Sequence, residues 1–326
     1  MKVYNEQQNN LLRPALLRAL SALREHQRFD AHRYIEKKAK VLSDYLRQSK
    51  LSSCVVAVSG GIDSAVVLGI AARAKQLPGS PLKRVIPVML PVFESGGATN
   101  QDSATAKGIE VTRAFGLEPI VLPLTNAHGA LKSAVDTALN QHGDNWAAGQ
   151  LVSYLRTPAL YYITSLLSEA GMPGILLGTT NRDEGAYLGY FGKASDGLVD
   201  VQVISDIYKS QVFSVGEALG VPEATLTAVP TGDMYDGRVD EEVFGAPYAF
   251  VELFLRFKQL SEAARVQLCS DWKDGDRSQF DELATRLENM HRYNAHKYMG
   301  KSPAVHLDLW DCRINGGWDY SVFEAA

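Results

Sequence analysis

Between Ile35 and Leu46 the apolar side chains Ile35, Ala39, Leu42 and Leu46 recur at spacings of four, three and four. That spacing places them on one face of a helix, and Asp30 stands where an N-cap carboxylate would start it. Leu11, Leu12, Leu16, Leu17 and Leu20 form an earlier broad apolar face and predict a helix over 10–27. The pattern then changes from periodic to continuous. Residues 54–58, 84–90 ("RVIPVML"), 119–124 ("PIVLPL") and 174–180 ("GILLGTT") are mainly apolar runs, each predicting a buried strand. Helical stretches over about 63–74, 100–115, 127–140 and 150–170 separate them. Buried strands alternating with helices predict an α/β fold, a doubly wound parallel sheet covered on both faces, here with extra N- and C-terminal helices. Beyond about residue 240 the pattern is mainly helical, and "HLDLWDCRINGGWDY" is aromatic and turn-rich. No linker or repeat interrupts the chain, so we expect one domain over 1–326 with a helical extension at 1–29 and a tail at 306–326.

Ligands of such sheets bind at the carboxyl ends of the strands. Two polar segments stand there, "SGGIDS" (59–64) and "GTTNRDE" (178–184). Gly60 and Gly61 let the backbone bend tightly and bring N–H groups close to an anion. Ser59 and Ser64 add hydroxyls, and the positive end of the helix starting near Asp63 faces the same place. A carboxylate beside a phosphate is repulsive unless a divalent cation lies between them, and Mg²⁺ binds both kinds of oxygen. The same residues also suit a plain strand-to-helix turn with a capping Asp63. "GYFGKAS" (189–195) lacks the spacing of a kinase-type phosphate loop, and no GxGxxG dinucleotide motif is present.

Composition narrows the partners. The 326 residues are 46% hydrophobic and 21% charged, with a net charge of −4. No basic run suggests a nucleic-acid groove, and no apolar run reaches membrane-spanning length. Cys54, Cys269 and Cys312 form no CxxC pair, and Cys54 reads as a buried thiol. The first residues, "MKVYNEQQNN", lack the apolar core of a signal peptide. We therefore expect a cytoplasmic protein with small-molecule partners, without nucleic acid or membrane.

"SGGxDS" after a strand resembles the pyrophosphate loop of the N-type ATP pyrophosphatases. From Gly178 the run "LGTTNRDEGAYLGYFGKASDGLVDVQVISDIYKSQV" resembles the NAD synthetases within that superfamily, as do "VPTGDMYDGRVDEEVFG" (229–245) and "HKY" (296–298). The likeness spans about residues 30–305. It implies an adenine-nucleotide α-hydrolase-like sheet, ATP as co-substrate and Mg²⁺ as cofactor. It implies transfer of AMP to the carboxylate of nicotinic acid adenine dinucleotide, then amidation by ammonia to NAD. The metal carboxylates are then Asp63 and Glu184. Ser59, Gly60, Gly61, Ile62, Asp63, Ser64, Thr179, Lys209 and Thr231 meet ATP or pyrophosphate, with Asp63, Lys209, Asp196 and Thr231 in the catalytic set. Arg156, Tyr190, Phe191, Lys193, Asp196, His296 and Lys297 fall on the side of the acyl substrate.

The chain departs from that pattern in places. Met89 and Tyr154 replace arginines, and an insertion around 94–97 displaces an ATP-contacting Gln so that Thr99 falls near its place. These changes leave the phosphate half of the site intact and open the choice of acid to the mononucleotide or another small carboxylate. An ATP-binding module without turnover, and an RNA-modifying adenylating enzyme, are the other readings; the acidic balance opposes the latter. The stretch before Ser59 is too short for a glutaminase domain, so free ammonia is the expected nitrogen donor. The resemblance and the apolar faces within 10–46 imply a homodimer.

Overall fold

The computed structural model describes residues 11–93, 100–232, 238–297 and 304–309. Helices α1 (Pro14–Gln27) and α2 (Ala31–Gln48) lead into β1 (Ser53–Ala57), α3 (Ile62–Gln76) and β2 (Arg84–Met89). Next come α4 (Asn100–Ala114), β3 (Ile120–Val121), α5 (Thr125–Leu139), α6 (Asn145–Glu169) and β4 (Gly174–Gly178). A π-helical turn (Glu184–Leu188), β5 (Val201–Gln202), α7 (Lys209–Leu219) and α8 (Glu223–Leu226) follow. The chain continues through α9 (Asp240–Phe244), α10 (Tyr248–Gln259), α11 (Glu262–Leu268), α12 (Asp274–Tyr293), a 3₁₀ turn (Ala295–Lys297) and β6 (Val305–His306).

The local causes are visible. Pro14 opens α1, and the Asp30 carboxylate accepts from Arg33 N at 3.0 Å at the start of α2. In β1 the alternation of side chains feeds two cores. Cys54 and Val56 pack with Leu42 and Leu46 of α2, Leu68 of α3 and Val212 of α7. Val55 points the other way, toward Ile86, Leu176 and Leu160 and Leu167 of α6. A third apolar cluster joins α1, α10 and α12 through Leu16, Leu20, Phe250, Phe254 and Phe280.

The six strands form one all-parallel sheet in the order β3-β2-β1-β4-β5-β6. The chain moves outward from β1 through β2 to β3, then returns to lay β4 on the other side of β1. The crevice between β1 and β4 is therefore the point where strand order reverses, the place where such sheets hold ligands. Both polar segments noted in the sequence open there.

Three expectations need revision. The run 119–124 gives only two paired residues, and Ile120 and Val121 are exposed, because β3 is the sheet edge and bonds β2 alone. The apolar faces within 10–46 are covered in cis: Leu16 and Leu20 enter the third cluster, and Ile35, Ala39, Leu42 and Leu46 the first. The tail begins inside the sheet, since His306 pairs with Gln202 and Leu307 is buried. Beneath that edge the fully buried Lys38 Nζ meets Asp206 Oδ2 at 2.8 Å and also bonds Leu307 O. Among the described residues no helix is long and apolar enough to cross a membrane.

Candidate active site

The turn after β1 is shaped by Gly60, whose φ is +81° and where an added Cβ would lie 2.3 Å from Ala104 O of α4. Gly61 then N-caps α3 with extended backbone. Ser64 Oγ donates to Gly61 O (3.0 Å), accepts from Ser59 N (3.2 Å) and lies 3.2 Å from Ser59 Oγ. The first helical N–H groups lack intrahelical acceptors, so this rigid turn aims donors and the dipole of α3 out of the strand end. Ile62 is buried beneath the turn, in the core.

Asp63 is the one acidic residue in the first turn of α3. Asn181 Nδ2 donates to its Oδ1 (2.8 Å) and Lys209 Nζ to its Oδ2 (2.6 Å). The same two donors meet Glu184 Oε1, at 2.7 Å from Asn181 and 3.0 Å from Lys209. Glu184 stands first in the π turn beyond β4, with its N–H donating to Asn181 Oδ1 at 3.1 Å. Lys209 is the first residue of α7, and its main-chain N–H donates to Asp183 Oδ2 at 2.5 Å. Three elements thus place two carboxylates about one ammonium in the β1/β4 crevice.

More carboxylate chemistry lies behind that centre. The Tyr248 hydroxyl is 2.8 Å from both Glu184 Oε1 and Asp240 Oδ2, and Tyr190 donates to Asp240 Oδ1 at 3.0 Å. Burial pushes Glu184 up to about 7; Lys209 opposes the shift, and the charges of Asp63 and Asp240 add to it. Burial alone would lower Lys209, but Asp63, Glu184 and Asp240 outweigh it and hold the ammonium charged. Tyr248 is pushed well up by burial and by the same carboxylates.

The other residues singled out in the sequence surround this centre at different distances. Thr179 is half-buried at the end of β4. Thr231 is exposed, but its neighbour Gly232 packs so closely that an added Cβ would lie 2.3 Å from the Tyr190 hydroxyl. Arg156 on α6 donates to Leu90 O (3.3 Å) and Gln101 Oε1 (3.2 Å), beside a cavity that also exposes Ser59. Phe191 lies under the Lys297 ammonium at 5.5 Å, and Lys297 Nζ donates to Gly189 O and Phe191 O at 2.7 Å each. Lys193, Asp196 and His296 are exposed. Met89 is buried in the core, and a Cβ on Gly108 of α4 would lie 2.9 Å from its Cγ. Tyr154 is exposed and donates to Gln150 Oε1 at 3.2 Å. Thr99 lies outside the described residues, and Gln101, in the first turn of α4, is the glutamine that reaches the cavity.

Asn181, Asp183, Asp240, Tyr248 and Gln101 were not singled out from the sequence. Asn181 was readable, because an Asn three residues before a helical Glu184 is a capping arrangement. Tyr248 carries no local signal; only the turn at Gly245 (φ +65°) brings it back over Asp240.

The sheet order and the acidic, lysine-bearing crevice at its crossover define an α/β protein whose ligand crevice lies at the strand carboxyl ends. Residues 34–299 match the NAD synthase family. An NH(3)-dependent NAD(+) synthetase of Thermoplasma acidophilum is 31% identical over 218 residues, 66% of this chain and 80% of that protein. One from Paraburkholderia phytofirmans is 31% identical over 251 residues, 73% of this chain and 82% of that protein. Among solved structures, NMN synthetase from Francisella tularensis superposes with a TM-score of 0.64 at 26% identity, covering 82% of this chain and 96% of that one. The NH3-dependent NAD synthetase of Campylobacter jejuni, at 18% identity and a TM-score of 0.61 over 82% of this chain and 96% of that one, shares the fold. The chain belongs to the NAD synthase family, ligases of NAD biosynthesis that use ATP.

Proposed function

We propose that this protein is an ammonia-dependent ligase that amidates nicotinic acid adenine dinucleotide to NAD. The observation that carries the reading is the convergence of Asp63 and Glu184 on Lys209 directly beside the Ser59–Ser64 turn. A substrate carboxylate oxygen attacks the α-phosphorus of ATP, the α–β bridge breaks, and pyrophosphate leaves from the turn formed by Ser59, Gly60, Gly61 and Ser64. Lys209, held charged, then moves from the carboxylates to the phosphate oxygens. Ammonia attacks the acyl-adenylate carbon, loses a proton and expels AMP. In this reading Asp196, Lys193, Tyr190, Phe191, Lys297 and His296 meet the acyl substrate, and Thr231 meets the phosphates. Positioning and charge neutralisation supply most of the acceleration in such transfers.

The donor set suits Mg²⁺. Asp63 and Glu184 already converge on one positive centre with hard oxygens. An Mg²⁺ held by these two carboxylates would take its remaining ligands from phosphate and water. Bound there, Mg²⁺ would neutralise phosphate charge. Asp63→Asn and Glu184→Gln are each expected to lower AMP release by roughly a hundredfold or more, with adenosine binding less affected than ATP–Mg²⁺ binding. Near-normal AMP release in either variant would reject that residue as a metal ligand.

A second acid is favoured by one observation: the NMN synthetase noted above superposes at a TM-score of 0.64 and 26% identity, against 0.61 and 18% for the Campylobacter jejuni NAD synthetase. Met89 and Tyr154 offer no charge or bidentate fork for a second phosphate or ribose-linked group. The deciding measurement is kcat/KM for the dinucleotide, the mononucleotide and simple aromatic acids, with ATP and ammonium, following AMP and pyrophosphate. Preference for the mononucleotide would replace the dinucleotide assignment and leave the adenylation chemistry standing. Absence of AMP with every acid would leave a nucleotide-binding module. We also propose a homodimer, and free ammonia as the nitrogen donor; turnover with glutamine in a pure preparation as fast as with ammonium would refute the latter.

A further inference from the structure

We propose that α1 is a positioning element for Lys209, acting through Arg24 and Gln27 on the first turn of α7. The inference rests on the role given to Lys209 above.

Every residue of that first turn is tied from outside the helix. Lys209 N is held by Asp183. Ser210 Oγ donates to Glu252 Oε2 at 2.8 Å. Gln211 accepts from Tyr208 N through Oε1 (3.0 Å) and gives its amide N–H to Gln27 Oε1 (3.1 Å) at the end of α1. Glu252, on α10, is 1% exposed. It receives Arg24 in a fork, Nε at 3.1 Å from both oxygens and Nη2 at 2.5 Å from Oε2, and Arg256 Nε at 2.9 Å.

The charges explain why this fork reaches the site. Burial pushes the Glu252 carboxyl up, but the hydrogen bond and charge of Arg24, then Arg256, outweigh it and hold the group below the ordinary range. Glu252 is thus an ionised carboxylate in a dry site, bonded by Ser210, the residue next to Lys209. Without Arg24 it keeps one guanidinium, and a buried charge that loses a partner draws its surroundings toward new compensation. Ser210 transmits that movement directly to α7. The contact of α1 with α10 in the third cluster, through Leu16, Leu20, Phe250 and Phe254, holds the two sides of the fork together.

The test uses the full chain with Arg24→Ala, Arg24→Lys and Ser210→Ala. Arg24→Ala is expected to lower kcat for AMP release by roughly tenfold or more, the scale on which small misplacements act, with KM for the acid nearly unchanged. Arg24→Lys restores part of kcat, because the charge remains while the fork is lost. Ser210→Ala leaves both guanidinium groups on Glu252; it is expected to keep the thermal midpoint and still lower kcat. Amide hydrogen exchange over 208–213 should quicken in Arg24→Ala and Ser210→Ala, with 53–57 still protected. A lowered midpoint with wild-type kcat in the folded variants, or unchanged exchange over 208–213, would overturn the proposal. If Arg24→Ala fails to fold, Ser210→Ala decides. If the wild-type protein releases no AMP with any acid, the functional reading fails, and exchange over 208–213 alone decides whether α1 holds this turn.

Discussion

Gly60 and Gly61 stand side by side and are required for different reasons. Gly60 has φ +81°, and a Cβ there would meet the α4 backbone at Ala104 O, 2.3 Å away. Neither the left-handed backbone nor a helix main chain yields cheaply. Gly60→Ala is therefore expected to cost on the order of 2 kcal/mol or more in stability, read as a lowered midpoint in thermal or urea unfolding. Gly61 has ordinary extended backbone, and an added Cβ would meet only Ser59 Oγ, at 3.4 Å. Its free space faces outward, where the proposed pyrophosphate sits. Gly61→Ala is expected to unfold like the wild type and to bind ATP more weakly in calorimetric titration. Wild-type ATP affinity in Gly61→Ala would remove the phosphate cradle from this turn. The sequence alone showed two glycines and could not assign them these separate parts, because the Ala104 contact spans a helix, a strand and the start of a second helix. Asp63 and Glu184 were legible as a pair through motif order, and Asp240 as part of an Asp-Glu motif without its place behind Glu184, while Tyr248 was not legible.

At the scale of elements, short strands carry consequences out of proportion to their length. β6 has two residues, yet it brings His306 over Ser205, with Nδ1 2.9 Å from Ser205 Oγ, and ends above the buried Lys38–Asp206 pair. Burial lowers the His306 pKa from the usual 6.5; Asp206 opposes the shift and Lys38 adds to it. The unfolded chain thus takes up a proton just below pH 6.5 that the folded chain refuses. Its contribution is fully present above that pH and is lost as pH falls through the window below it. His306→Gln is expected to flatten the slope of the thermal midpoint between about pH 5 and 7. An unchanged slope would show that other groups set it. β5 and β6 left no mark in the sequence, since two residues show no periodicity, whereas β1, β2 and β4 were readable as continuous apolar runs. The π turn was equally hidden. It is held from outside by α12 and the turn after it: His291 Nδ1 lies 2.6 Å from Tyr187 O, Asn294 donates to Leu188 O at 2.8 Å, and Lys297 donates to Gly189 O and Phe191 O. Such carbonyls at a helix end need donors, and these come from a hundred residues further along the chain, beyond the reach of any local pattern.

At the scale of the whole molecule, the proposed dimer needs a surface, and the faces within 10–46 are already covered. Among the described residues, one group of exposed apolar side chains gathers toward the β3 edge of the sheet. α5 buries none of its residues, and its Leu131, Val135 and Leu139 follow one another at spacings of four, all exposed. α5 packs on α6, which presents Tyr154, Tyr162 and Leu166 on one of its own faces, and the edge strand β3 adds Ile120 and Val121. A helix without a single buried residue gains little from folding against its own chain, because stability of helices in proteins comes from packing an apolar face. A second copy laid on α5, α6 and β3 would supply that packing, close the open edge of the sheet, and bring the rim residue Tyr154 toward the partner. Leu131→Asp with Val135→Asp places charges in the middle of this surface. The wild-type chain is expected to sediment at twice its 35.7 kDa at micromolar concentration, and the double variant as a folded monomer with an unchanged far-ultraviolet spectrum. A wild-type mass of 35.7 kDa would refute the dimer, and a double variant that still dimerises would move the interface elsewhere on the molecule.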